Sequence, residues 1–218
     1  MISIIVTTYN HDHIFLKTAL SSCLSQNIKK EIILIDDGSE IKINEYVKEL
    51  IKKNNIKYIK HETNKGLSAA RNTGISNCKY DFYITLDADD FFFDNTLSSL
   101  FQYVNSKSDI YFGNLFDGKI SVPPGSRGIT KNRFLQENQL WCSSLVRKKV
   151  WENIGGYLVR EGPHYEDWNF WCRAYKHGYR FQYIPLCLYQ HTFRQESMLG
   201  ELHNYKDKYR RIATQDII

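Results

Sequence analysis

With 218 residues, 42% of them apolar, and a formal charge of +5, the chain can build one globular domain, and its charge is too small and scattered for a nucleic-acid footprint. No apolar run approaches the length that spans a bilayer, so no integral membrane segment is expected. Cys23, Cys78, Cys142, Cys172 and Cys187 form no Cys-x-x-Cys pair, and their odd number reads as reduced thiols in a soluble, intracellular protein.

Residues 2–6 open the chain as β-branched Ile and Val around Ser3, the pattern of a strand buried on both faces, so no targeting peptide is expected. The polar loop Thr7-Thr8-Tyr9-Asn10 follows, with Asn10 the expected helix cap. Leu16, Ala19, Leu20, Cys23 and Leu24 then repeat at helical spacing. Residues 31–35 make a second buried strand ended by Asp36-Asp37-Gly38-Ser39, and Ile43, Tyr46, Val47, Leu50 and Ile51 mark another amphipathic helix. A third short strand is expected at 56–59. In Asn64-Lys65-Gly66-Leu67-Ser68-Ala69-Ala70-Arg71-Asn72-Thr73-Gly74 the small residues let a helix come close to a sheet or a ligand.

The next strand, 81–86, empties into Asp87-Ala88-Asp89-Asp90. On an extended backbone Asp87 and Asp89 share a face, and two carboxylates in one small volume either share a proton or hold a hard cation such as Mg²⁺ or Mn²⁺. The structural alternative is a strand end whose acids cap the following helix, for which Asp94 is the expected N-cap ahead of Thr96 and Leu97. That helix carries Leu97, Leu100, Phe101 and Val104 on one face, and 109–112 reads as another strand.

Beyond residue 113 the pattern loosens through Pro123-Pro124-Gly125 and the polar stretch 127–138. A strand is expected at 140–146, then a short helix and the turn Gly155-Gly156-Tyr157. A helix opening on Glu166-Asp167 carries Trp168, Trp171, Cys172 and Tyr175 on one face, with Gly178 as its C-terminal glycine. Two short strands, 181–184 and 187–190, follow. The tail from residue 200, with Lys206, Lys208, Arg210 and Arg211, reads as a solvated helix, with contact to an anionic membrane as the functional alternative.

Strands alternating with helices imply an α/β fold with a mostly parallel sheet flanked by helices. In such sheets ligands bind beyond the carboxyl ends of the strands, where Thr7 to Asn10, Asp36 to Ser39 and Asp87 to Asp90 all fall.

The ordered set of motifs resembles the inverting family 2 glycosyltransferases of the GT-A, Rossmann-like fold. It is carried by Ile4-Ile5-Val6-Thr7-Thr8-Tyr9-Asn10, Ile33-Leu34-Ile35-Asp36-Asp37-Gly38-Ser39, the run from Asn64 to Gly74, Leu86 to Asp90, Gly155-Gly156-Tyr157, Glu166-Asp167-Trp168 and Tyr189-Gln190-His191. The family commonly has proline where Thr7 stands. The resemblance implies one domain over 1–199, with a nucleotide-binding half at 1–112 and an acceptor-binding half at 113–199, followed by the basic tail 200–218. It places Thr8, Tyr9, Asp37, Arg71 and Asp87 around a nucleotide-sugar, UDP first. A carboxylate such as Asp37 can accept the imide hydrogen of uracil, and Arg71 can meet a ring carbonyl or the diphosphate.

The same resemblance makes Asp89, Asp87 and His191 the contacts of Mn²⁺ or Mg²⁺, with Asp90 an open third carboxylate. Asp167 would be the general base, with Glu166 beside it, because a helix N-terminus favours the ionised form. Trp141, Trp168 and Tyr165 are candidates to stack on the acceptor sugar. The acceptor would be a carbohydrate or lipid-linked saccharide, and the enzyme cytoplasmic or peripheral at the inner face of a membrane. Two rivals stand beside this reading. One is a non-catalytic binding domain of the same fold. The other is a phosphohydrolase with Asp87 as nucleophile, which leaves Asp36-Asp37 and Glu166-Asp167 without roles and has Phe91 where that chemistry wants threonine or valine.

Overall fold

A computed structural model of the chain describes residues 1–160, 162, 164–192 and 206–215. Its first half follows the apolar runs closely. Strands β1 (Ile2–Thr8), β2 (Lys30–Asp36), β3 (Lys57–Lys60) and β4 (Phe82–Asp87) lie parallel in the order β3-β2-β1-β4. Every residue of β1 is buried because helices cover both faces of the sheet. On one face α1 (His13–Ser25) brings Leu16, Ala19, Leu20 and Cys23 into the cluster that holds Ile4, Val6, Ile84 and Leu86. The helix α2 (Glu45–Lys53) joins that cluster through Val47. On the other face α3 (Leu67–Ser76) lays Ala70 and Ile75 with Ile5, Ile33 and Ile35. Glycine permits that approach, since a β-carbon at Gly74 would stand 2.3 Å from Ile5 Cγ2.

The strand order turns at β1, which has β2 on one side and β4 on the other, so a crevice opens at the carboxyl ends. Register pairs Thr8 with Asp36 and Thr7 with Asp87, which puts the three polar clusters on one edge.

The second half is a mixed continuation. Strand β8 (Leu145–Arg147) runs antiparallel to β4 and to β6 (Ile110–Phe116), while β9 (Phe181–Gln190) lies parallel to β6. The two-residue strand β5 (Phe91–Phe92) pairs antiparallel with β9, and β7 (Ile120–Ser121) with β6. The helices here are α4 (Thr96–Phe101), α5 (Lys131–Gln136), α6 (Lys148–Ile154) and α7 (Glu166–Lys176). No helix among the described residues is long and apolar enough to cross a membrane.

Several local expectations are corrected. The cap of α1 is Asp12, which accepts from Ile14 N at 2.7 Å, because Asn10 sits in a left-handed conformation and spends its side chain on Glu40 N and Ile41 N. Likewise α4 is entered through left-handed Asn95, not through Asp94. The strand expected at 140–146 shrinks to its end, since Ser144 turns back onto Cys142 O and Trp141 O. The two strands expected around Pro185 are one. The missing N–H is absorbed by irregular register against β6, where Gly113 lies so near Leu186 that a β-carbon would stand 2.6 Å from its carbonyl oxygen.

In the tail, α8 (Lys206–Thr214) packs on α7, with Ala213 buried and its carbonyl accepting from Asn169 Nδ2 at 3.1 Å. The expected border between domain and tail at 199/200 lies outside the described residues.

Candidate active site

The crevice is built from the loops that end β1, β2 and β4 and from the first turn of α7. At the end of β1, Thr8 is buried, Tyr9 is exposed, and His11 folds back over them. Tyr9 N donates to His11 Nδ1 at 3.2 Å, so Nδ1 is an acceptor and the neutral ring carries its proton on Nε2. That nitrogen stands 3.6 Å from Asp89 Oδ2.

The two aspartates after β2 divide their work. Asp36 is fully buried and accepts from Ser39 N and Tyr58 Oη, both at 2.8 Å, with Lys60 Nζ 3.3 Å away. Burial opposes its charge, but these bonds hold the carboxyl below its ordinary value. It fastens the loop. Asp37 instead accepts from His61 Nδ1 at 2.6 Å and Lys65 N at 3.0 Å.

Arg71 is the centre of the site. Its side chain is 1% exposed, and its guanidinium donates to Asp87 Oδ1 and Oδ2 at 3.1 and 3.2 Å and to Glu166 Oε1 at 2.5 Å. Burial disfavours the cation, yet Asp87 and then Glu166 outweigh it and keep the group protonated. The ring of Tyr157 lies 5.7 Å from the guanidinium carbon, and Nε has no partner among the described residues. Arg71 is thus turned to two protein carboxylates.

Beyond β4 the alternation expected of Asp87 and Asp89 does not continue. The strand ends at Asp87, and Asp90 N closes a turn onto Asp87 O at 3.0 Å, so Asp89 leaves on a turn. Asp87 also accepts from Thr7 Oγ1 at 3.1 Å and has Cys142 Sγ 3.9 Å away. Asp90 is buried and accepts from Thr192 N at 2.9 Å, with His191 Nδ1 at 3.2 Å. Burial pushes Asp90 up to about 6, against the pull of His191, and the hydrogen bond to Asp90 raises His191 in turn. No group of three or more His, Cys, Asp or Glu side chains encloses a cation position among the described residues. The donor set still fits a hard cation. Asp87 and Asp89 keep 28% and 19% of their side chains exposed at the crevice, and Mg²⁺ typically takes one or two carboxylates and completes its shell from substrate phosphates and water.

On the far wall, Glu166 and Asp167 open α7. Asp167 is half-buried, accepts from Trp168 N at 2.7 Å and from Asn138 Nδ2 at 2.8 Å, and is pushed up to about 7 by burial and then by the charge of Glu166. The ionised form expected at a helix N-terminus is thus disfavoured, because burial and Glu166 outweigh the dipole, and a carboxylate poised near neutrality is suited to exchanging protons. Trp168 does not fit the sugar-stacking role expected of it. It is 2% exposed, its indole donates to Phe134 O at 2.8 Å, and Tyr165 covers it at 5.6 Å between ring centroids. Trp141 is half-buried at the crevice side of the core.

The sequence reading passed over His11, Cys142, Asn138 and His61. His11, Asn138 and His61 sit in stretches without period and Cys142 in the run expected as a strand, and only the fold brings them to the site.

Comparison with known proteins agrees with this architecture. The sequence model described as glycosyl transferase family 2 matches residues 3–155. An Escherichia coli UDP-Gal:alpha-D-GlcNAc-diphosphoundecaprenol beta-1,3-galactosyltransferase is 26% identical over 99% of this chain and 86% of its own length. Among solved structures, Staphylococcus aureus TarS in complex with UDP-GlcNAc superimposes with a TM-score of 0.77 at 22% identity, over 91% of this chain and 60% of that one. A Pyrobaculum calidifontis mannosyltransferase in complex with GDP-Man and Mn²⁺ does so with a TM-score of 0.73 at 14% identity, over 92% of this chain and 59% of that one. The chain spans 68%, 58% and 17% of the lengths of three further curated glycosyltransferases.

Proposed function

The chain belongs to glycosyl transferase family 2, and on that premise we propose that it is a metal-assisted, inverting transferase that moves a sugar from a UDP-sugar to an acceptor hydroxyl. The observation that carries the reading is the buried chain Asp87–Arg71–Glu166, which ties the carboxylate at the donor edge to the helix turn that bears Asp167. Donor and base are thereby held in one frame, which is what a displacement at a single carbon needs.

Asp37 would accept the imide hydrogen of uracil, and Thr8 and Tyr9 would border the base and ribose. Asp89 and Asp87 would hold Mg²⁺ or Mn²⁺, with His191 and Asp90 beside them; the mannosyltransferase bound to Mn²⁺ has the same fold. The ion would neutralise charge that builds on the departing diphosphate. Asp167 Oδ2 would take the proton of the acceptor hydroxyl while Asn138 and the Trp168 N–H orient the carboxylate. The hydroxyl oxygen then attacks the anomeric carbon from the side opposite the diphosphate, so one carbon–oxygen bond forms as the other breaks and configuration inverts. Trp141 would flank the acceptor.

The acceptor class we favour is a glycan, including a lipid-linked saccharide like that named for the Escherichia coli relative. Exposed Lys208 and Arg211 on α8 would let the protein approach an anionic membrane from the cytoplasmic side.

The test is a panel of UDP-sugars with Mg²⁺ and simple glycoside acceptors, read by UDP release and by the anomeric proton coupling of the product. One donor should turn over with inversion. Retention of configuration would refute the single-displacement role of Asp167.

A further inference from the structure

Behind Asp37 lies a buried relay. Asp37 Oδ1 takes two donors, His61 Nδ1 at 2.6 Å and Lys65 N at 3.0 Å, while His61 Nε2 stands 2.9 Å from Thr73 Oγ1 on α3. The backbone is fixed as well, with Asp37 N donating to Thr8 O at 2.9 Å and His61 N to Asp36 O at 2.8 Å. His61 and Asp37 keep 7% and 5% of their side chains exposed. A carboxylate oxygen can only accept, so Nδ1 carries the proton toward Asp37, while Thr73 Oγ1 fixes the other edge of the ring through Nε2. Among the described residues no donor meets Asp37 Oδ2. The side chain is thus pinned by one oxygen with the other left over.

Resting on the reading of Asp37 as the uracil contact, we propose that His61 is a positioning residue for nucleotide choice. With Thr73 setting its ring, it locks the Asp37 rotamer so that Oδ2 alone is offered to the base. A fixed acceptor at that place suits a pyrimidine with an N–H at ring position three, uracil or thymine. It repels cytosine, which presents a lone pair there. Without His61 the carboxylate turns toward other donors or water, and its discrimination is lost with its orientation.

The test is calorimetric titration of the full chain with UDP and with CDP in Mg²⁺. A residue that only supports the fold would weaken both nucleotides alike, whereas a residue that orients Asp37 changes their ratio. His61→Leu should weaken UDP by roughly tenfold, the worth of one hydrogen bond to a charged group, and bring the UDP-to-CDP preference down by a similar factor. His61→Asn places an amide N–H where Nδ1 was and should keep the preference within about threefold. Asp37→Asn tests the underlying reading. If it leaves the preference unchanged, Asp37 is not the base contact. If it abolishes the preference while His61→Leu leaves it intact, the base contact stands and the role given to His61 is overturned. Should His61→Leu fail to fold, Thr73→Val decides, since it is expected to lower the same preference severalfold and an unchanged preference would refute the relay.

Discussion

Asp167→Asn is expected to lower turnover by about 10²- to 10⁴-fold, the range lost with a general base, while UDP affinity stays within about twofold because the donor edge is untouched. The wild-type enzyme should show kcat/KM rising with pH and levelling above about 7, because the base works only when ionised and Asp167 is pushed up to about 7 by burial beside Glu166. In the variant that rising limb should vanish from the residual rate. The same shift has a stability consequence of fixed sign. Between the ordinary carboxylate range and neutrality the folded chain holds a proton on Asp167 that the unfolded chain has released, so its contribution to stability falls as pH rises toward 7. Asp167→Asn should therefore lose less stability than the wild type between pH 5 and pH 8 in urea melts. Turnover that persists would dismiss Asp167 as the base, and equal pH slopes for both proteins would contradict the raised pKa of its carboxyl.

Removing the buried cation is expected to do the most damage to the fold. Arg71→Met leaves Asp87 and Glu166 facing each other without their shared counter-charge, and breaking a buried pair from one side costs about 3–5 kcal/mol. In a chain of this size that lowers the melting temperature by roughly 6–20 °C. Arg71→Lys should recover only part, because an ammonium cannot reproduce the fork that reaches both Asp87 oxygens and Glu166 Oε1. Adding Glu166→Gln to Arg71→Met should restore stability relative to the single variant, since it removes one uncompensated charge, and the size of that coupling measures the bridge. A loss under about 1 kcal/mol for Arg71→Met would place the network at the surface class of ion pairs.

The network also bears on the phosphohydrolase rival. The phosphohydrolase reading leaves Glu166 and Asp167 without a role, whereas Arg71 ties Asp87 to Glu166 in one network. Electrostatically Asp87 is dressed as a partner for cations.

The parallel half of the fold was legible because burial on both faces leaves largely apolar runs at β1, β2 and β4, and because α1 shows its helical stripe on one face. The polar clusters that end those strands could be placed on one edge by the rule of parallel sheets alone. Where tertiary contacts set the local structure, the residues misled. Asn10 has the chemistry of a cap, but the neighbouring loop claims its oxygen, and Asp12 two residues on does the capping. Two short strands are expected at 181–184 and 187–190, yet β9 runs through Pro185 with irregular register against β6. Trp168 lies on a helical stripe that was correctly read as packed, and the same burial rules out the sugar face it was also given. Arg71 could be singled out from its motif, but its partners lie 16 and 95 residues away in sequence, and no local pattern carries that distance.

On the proposed reading, a divalent cation and uridine diphosphate would share one site at Asp87 and Asp89. The most direct measurement is the melting temperature with Mn²⁺ alone, with UDP alone and with both. A ligand at about a hundred times its dissociation constant adds about 2.7 kcal/mol, and each kilocalorie shifts a domain of this size by roughly 2–4 °C. Together the two ligands should raise the transition by more than the sum of their separate effects, since the diphosphate would complete a shell begun by Asp87 and Asp89. A transition that moves with neither ligand nor with the pair would contradict the site.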